Sequence, residues 1–141
     1  MADYTITSSN VVPGSNASYG EGVAGEAINA GDAVAIETDS GDAAHNRIVQ
    51  AEVSDESRSV VVGIAVSTAE AAGQLVKFAK PGSDVDMGSV FAAGDISILS
   101  DAGAIAPAAD KATSDWVTVV GVALDADTLR IVGASPGVQS A

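Results

Sequence analysis

The chain states one pattern twice. Ala27 to Gly41 reads AINAGDAVAIETDSG and Val90 to Gly103 reads VFAAGDISILSDAG, and the echo continues in order. Ala30-Gly31-Asp32 matches Ala93-Gly94-Asp95, Val61-Val62-Gly63-Ile64-Ala65 matches Val119-Val120-Gly121-Val122-Ala123, and Pro81-Gly82 matches Pro136-Gly137. The offsets are 63, 58 and 55 residues, so the second copy is shorter by five residues in one loop and by three in another. One such triplet recurs by chance in a chain so rich in Ala and Gly; three in the same order point to two versions of one module. In AGD the glycine supplies a positive φ and the aspartate bonds nearby backbone, which together aim the chain into the next strand. In VVGxA the glycine interrupts a strand, as at a bulge, a tight bend or a close backbone approach.

Between these markers the sequence runs in short Val/Ile-rich stretches separated by Gly, Asp and Ser, the spacing of an all-β domain with tight turns. Strands are expected over 33–38, 47–53, 59–66, 74–80, 95–99, 116–124 and 128–132. STAEAAG reads as one helical turn, with Ser67 as cap, Glu70 reaching back and Gly73 as the stop. The expected architecture is a small β-barrel or sandwich built from two pseudo-repeats, about 26–82 and 89–137, within a β-domain over 23–141. One detail is out of phase: Val34 and Ile36 follow the first AGD turn, whereas Ile96 and Ile98 follow the second. A one-residue slip turns a strand over. Either the two turns differ by a residue or both faces of these strands are covered.

Residues 1–22, MADYTITSSNVVPGSNASYGEG, are rich in Ser, Asn and Gly and read as an extended arm. About twenty extended residues span up to about 66 Å, against a radius of gyration of about 14 Å for a compact body of this length. The large side chains of the arm, Tyr4, Ile6, Val11, Val12 and Tyr19, are therefore candidates for an interface with a neighbouring molecule. Trp116 opens a predicted strand and is read both as a core plug and as a further interface anchor.

Nineteen acidic residues against six basic ones give a net charge of −13, which repels nucleic-acid phosphates and anionic membranes. A length of 141 residues suits one cooperative body. There is no cysteine, so neither a disulfide framework nor a cysteine metal site is available. The first residues lack the pattern of a secretory signal, and the longest apolar run, Val60 to Val66, is too short to span a bilayer. The expected place of synthesis is a cytosol.

Chemistry is sparse. His45 stands alone in the polar stretch GDAAHNR, without a second ligand or a base partner at useful spacing. Asp84/Asp86 and Asp125/Asp127 each put two carboxylates on one side of an extended segment, a weak cation-binding arrangement that lacks the further oxygen ligands of a calcium loop. No nucleophile elbow, phosphate-binding loop or HExxH pattern occurs. No catalytic, cofactor-binding or metal-ligating residue is assigned, no cofactor is expected, and the chain is read as a non-enzyme.

The Ser/Asn/Gly arm, followed by GEAINAGDAVAIETDSG, VVVGIAVSTAEAAG and VVGVALDADT, resembles the small Ala/Val/Gly-rich decoration, or cement, proteins of tailed-bacteriophage heads. The resemblance covers roughly Glu21 to Gly137 and rests on pattern and composition. It implies a structural protein, made in the host bacterial cytoplasm, that binds the outer surface of the virion capsid and reinforces the shell. Its implied partners are the major capsid protein and further copies of itself, as a homotrimer, with neither nucleic acid nor membrane. A phage fibre or receptor-binding β-module is the alternative, and exposed aromatics for sugar stacking would favour it. A trimeric enzyme would need a catalytic constellation shared between subunits, where only isolated carboxylates are on offer.

Overall fold

The computed structural model describes residues 3–108 and 116–134. Among them run β1 (Val12–Pro13), β2 (Tyr19–Val23), β3 (Ala33–Ile36), β4 (Ile48–Gln50), β5 (Gly63–Ala65), β6 (Leu75–Ala79), β7 (Asp84–Asp86), β8 (Ile96–Leu99), β9 (Ile105–Pro107), β10 (Val119–Ala123) and β11 (Thr128–Ala134). Two 3-10 turns, Ser8–Asn10 and Glu56–Arg58, lie among these residues. Strand pairing is antiparallel throughout, in a six-stranded sheet of order β1-β7-β11-β10-β8-β9 and a five-stranded sheet of order β2-β6-β5-β3-β4. The protein is all-β, as expected.

Leaving β1 aside, the two sheets have the same strand order: β2, β6, β5, β3, β4 correspond to β7, β11, β10, β8, β9. Hydrogen bonds correspond as well. The Asp32 carboxylate accepts the Asn29 N–H at 2.9 Å and the Asp95 carboxylate accepts the Ala92 N–H at 3.1 Å. Gly31, at φ 99°, donates to the Ala65 carbonyl, and Gly94, at φ 87°, donates to that of Ala123, both at 2.8 Å. Ala65 and Ala123 in turn donate to the carbonyls of Asp32 and Asp95, again at 2.8 Å. The VVGxA glycines are close-approach positions: a Cβ on Gly63 would sit 2.1 Å from the Ala79 carbonyl oxygen, and one on Gly121 would sit 2.3 Å from that of Arg130. Both glycines let a neighbouring strand come in where no side chain fits.

The repeats begin one strand earlier than the sequence indicates, at β2 and at β7. Neither strand has a β-former's composition. Gly20 and Gly22 of β2 lie beneath Phe78 and Ile48, where a Cβ would fall 2.4 Å and 2.8 Å from ring and side-chain carbon, and β7 is Asp-Val-Asp. Packing decides these strands, overriding propensity. Pro136-Gly137 lies outside the described residues.

The phase difference has its answer in burial. Ala33, Val34 and Ala35 are all fully buried, so both faces of β3 are covered. Ala33 and Ala35, with Val49, Ile64 and Ala79, belong to a core shared with Val85, Met87, Leu99, Val120 and Leu129 of the second repeat. Val34, Ile48, Ala65, Val76 and Phe78 face the other way, into a second core closed by Ala24, Ile28 and Ala69. The counterpart of Ala33 in the second repeat, Ile96, is 49% exposed. The same backbone position thus faces protein in one repeat and solvent in the other.

Two local expectations are corrected. STAEAAG forms no helical turn, because Ala69 is drawn into an antiparallel bridge with Ile28, their N–H groups and carbonyls exchanging bonds of 2.8 and 2.9 Å, and the Ser67 hydroxyl accepts the Lys77 N–H instead of capping a helix. Residues 3–22 do not stand off as a free arm. They pack along the body, because Tyr4, Ile6 and Val11 supply apolar surface that the large core accommodates, and β2 within them is an integral strand.

Candidate functional site

The amino-terminal segment works as a strap. Tyr4 donates its N–H to the Ile105 carbonyl of edge strand β9 at 2.8 Å. At the other end, Val12 and Pro13 pair with Asp86 and Val85 of β7, extending the opposite edge of the same sheet. Proline suits that outermost strand, which needs no further donor. In between, the Tyr4 ring stands edge-on to Phe91, with centroids 5.0 Å apart at 76°. Ile6 and Val11 close over Gly31, where a Cβ would approach Ile6 Cγ2 to 2.8 Å. A cleft of about 140 Å³ remains beneath the strap, bordered by Tyr4, Ile6, Asn29, Asp32 and Gly103. Burial pushes the Asp32 carboxyl up against hydrogen bonds from Gln50 and the Asn29 N–H.

Of the six residues expected at an interface, three, Tyr4, Ile6 and Val11, are therefore packed against the chain's own core. Trp116 is partly buried and donates its backbone N–H to Val53 at 2.9 Å. Val12 and Tyr19 remain on the surface. Tyr19 begins the outward face of β2, and Val23 continues it four residues on. Across the pair of strands, Leu75 lies opposite Val23 and is 63% exposed, while the Lys77 ammonium stands 4.5 Å from the Tyr19 ring centroid. Val23 and Leu75 form an exposed apolar pair at one end of this face and Tyr19 an aromatic patch at the other; Glu21 and Lys77 stand opposite one another between them, and the Lys77 cation rests on the Tyr19 ring. Sequence reasoning missed Val23 and Leu75; the signal available was the alternation of Leu75 and Lys77 against buried Val76 and Phe78.

The carboxylate pairs are engaged in local structure. Asp84 holds Arg130 through two hydrogen bonds of 2.8 and 3.2 Å, and Asp86 accepts the Gly88 N–H. Asp125 accepts the N–H groups of Asp127 and Thr128, which hold its carboxyl below the usual range, and Asp127 accepts the Ser89 hydroxyl at 2.7 Å. Among the described residues no group of three or more His, Asp or Glu side chains is placed to share a metal ion. His45 sits in a turn, donating its backbone N–H to the Asp42 carbonyl, and its Nδ1 is buried.

The densest charge cluster was invisible in the sequence. Arg58, on the second 3-10 turn, pairs with Glu37, Glu26 and Asp42, which lie up to 32 residues away. Glu37 is 1% exposed. Burial opposes its ionisation, but the Asp39 N–H and Arg58 hold its carboxyl below the usual carboxylate range. This cluster ties β3 to the loops beside it and engages all three guanidinium nitrogens.

No helix among the described residues is long and apolar enough to cross a membrane. No protein-family model matches this chain, and no curated protein matches it in sequence.

Proposed function

We propose that this protein is a capsid decoration protein: a homo-oligomer, trimeric as the sequence resemblance implies, that binds the outer surface of a bacteriophage head and reinforces the shell. The observation that carries the reading is the outer face of β2 and β6, where exposed Val23 and Leu75 pair across the strands and exposed Tyr19 stands at the other end, with Glu21 opposite Lys77 between them. In antiparallel sheets with one solvated face, that face is ordinarily polar. Large apolar side chains exposed there mark a docking surface, and the major capsid protein is the proposed occupant, with the Glu21–Lys77 positions between them as its polar centre. The net charge of −13 suits an external position, away from packaged DNA.

The body is proposed to be two barrel-like lobes stacked on a common core. The parallel bridge between Ala24 and Ile48, which brings the edges of the five-stranded sheet together, supports this. Two lobes joined by a core form a stiff clamp, and the strap across the second lobe adds to its stiffness.

The test is co-sedimentation of purified protein with empty heads. Leu75→Glu and Val23→Glu should keep the wild-type melting temperature and lose most head binding. Full head binding by both variants would refute this β2–β6 face as the shell contact, and absence of binding by wild-type protein to any head would refute the function.

A further inference from the structure

In the first repeat, Ala33, Ile64 and Ala79 lie directly opposite one another across β3, β5 and β6, and each is 0% exposed. They face the second repeat. The corresponding row of the second repeat is Ile96, Val122 and Arg130, across β8, β10 and β11 in the same register. Here Ile96 is 49% exposed, Leu124 and Val132 beside the row are each 44% exposed, and Val122 is only partly buried. Two of the three side chains are also larger: Ile96 and Arg130 stand where the buried row has Ala33 and Ala79. A sheet face meant for water carries polar residues, yet across β8 and β10 this one is apolar; its polar groups, which are Thr128, Asp86 and the ion-paired Arg130 and Asp84, are confined to the β11–β7 side.

We propose that this face of the second repeat, centred on Ile96 and Val122, is the surface on which a second copy of the chain docks. The occupant is read from the molecule itself: where the same face occurs in the first repeat, it is covered by another repeat of this chain. Charge agrees with that choice. Two molecules of net charge −13 approach most easily over an uncharged patch, which Ile96 and Val122 supply, with Arg130 already paired to Asp84, and with Asp86 two strands from Val122. The stack cannot grow indefinitely by repeating the internal contact, because the inner face of the first repeat is already sealed by Ala24, Ile28 and Ala69. The inference rests on the reading of the chain as a self-associating structural protein and gives that association its surface.

The experiment exploits the absence of cysteine. Ile96→Cys, and Val60→Cys as an exposed control, are labelled with a thiol reagent over a range of protein concentrations while sedimentation reports the assembly state. Position 96 should be protected in the oligomer and react freely on dilution, with position 60 reacting alike in both. Separately, Ile96→Glu/Val122→Glu should weaken association by about 30-fold or more, the scale of an interface hot spot, with circular dichroism unchanged. If that variant misfolds, Ile96→Cys labelling decides alone. A wild type that is monomeric at every concentration overturns the proposal, as do equal reactivity of position 96 in oligomer and monomer, and protection of position 96 in a monomer. Protection that appears only when heads are added also overturns it, since the face would then belong to the shell. The measurement itself uses no heads, so it fails independently of the shell-binding reading, which Leu75→Glu tests.

Discussion

The Tyr4 hydroxyl donates to the Asp95 carboxylate at 3.0 Å, on the same oxygen that accepts the Ala92 N–H and closes the second AGD turn. The two residues are 91 positions apart, so the strap is fastened to the very turn that defines the repeat. Tyr4→Phe should cost about 0.5 to 1.5 kcal/mol, the worth of one hydrogen bond. Tyr4→Ala should cost more, since the edge-on contact with Phe91 contributes a further 0.5 to 1.5 kcal/mol, roughly. Both are read by denaturant melts of the isolated protein. Deletion of residues 2–13 should lower the melting temperature by more than either, whereas an unchanged melt would mean that the strap adds nothing to the body.

The interrupting glycines give a ranking. Gly63→Ala and Gly121→Ala drive a methyl group into the Ala79 and Arg130 carbonyls, and overpacking against backbone costs about 3 kcal/mol or more. Gly94→Ala meets no atom within 4 Å and should cost only the strain of a positive φ, about 1 to 2 kcal/mol. Equilibrium unfolding of the three variants should place Gly94→Ala well above the other two in stability. The reverse order would show that the close strand approach relaxes easily.

These glycines show what was legible from sequence. AGD and VVGxA are backbone devices written in local residues, so their positions and pairing could be anticipated. β2 and β7 could not, because Gly20, Gly22 and the Asp-Val-Asp strand are placed by Phe78, Ile48 and Arg130, all distant in the chain. Arg58 and Glu37 are 21 residues apart, and no periodicity announces their meeting. For the interface candidates, the Ser/Asn/Gly composition of the first residues concealed three apolar anchors that the chain uses on itself. The out-of-phase Ile96 and Ile98 were visible, but their cause was not: Ala33 faces a second repeat and Ile96 faces outward.

The Asp39 N–H and Arg58, which hold the buried Glu37 carboxyl ionised, make the Arg58 cluster sensitive to acid. That carboxyl is held below the ordinary Glu value near about 4.3, so its contribution to stability is fully present above that value and is lost as the pH falls through the lower folded-state value. The stability difference between wild type and Glu37→Gln should therefore be largest near neutrality and shrink on acidification. Arg58→Met strands a buried charge and should cost about 3 to 5 kcal/mol at neutral pH. Arg58→Met with Glu37→Leu should recover part of that loss, and a double variant worse than Arg58→Met alone would contradict this account of the cluster.

Salt should tighten the proposed self-association. The Ile96–Val122 face brings apolar surface together, and its one ion pair, Arg130–Asp84, lies within a single chain, so screening removes little attraction there. Repulsion between bodies of net charge −13 acts over the whole surface and is strongly screened. Raising ionic strength from about 0.01 M to about 0.1 M shortens the Debye length from about 30 Å to about 10 Å. Sedimentation of the wild type across that range should show the oligomer persisting to lower protein concentration as salt rises. Dissociation by salt would instead mean that charged contacts between copies hold the assembly, and that the apolar face lies elsewhere than at its centre.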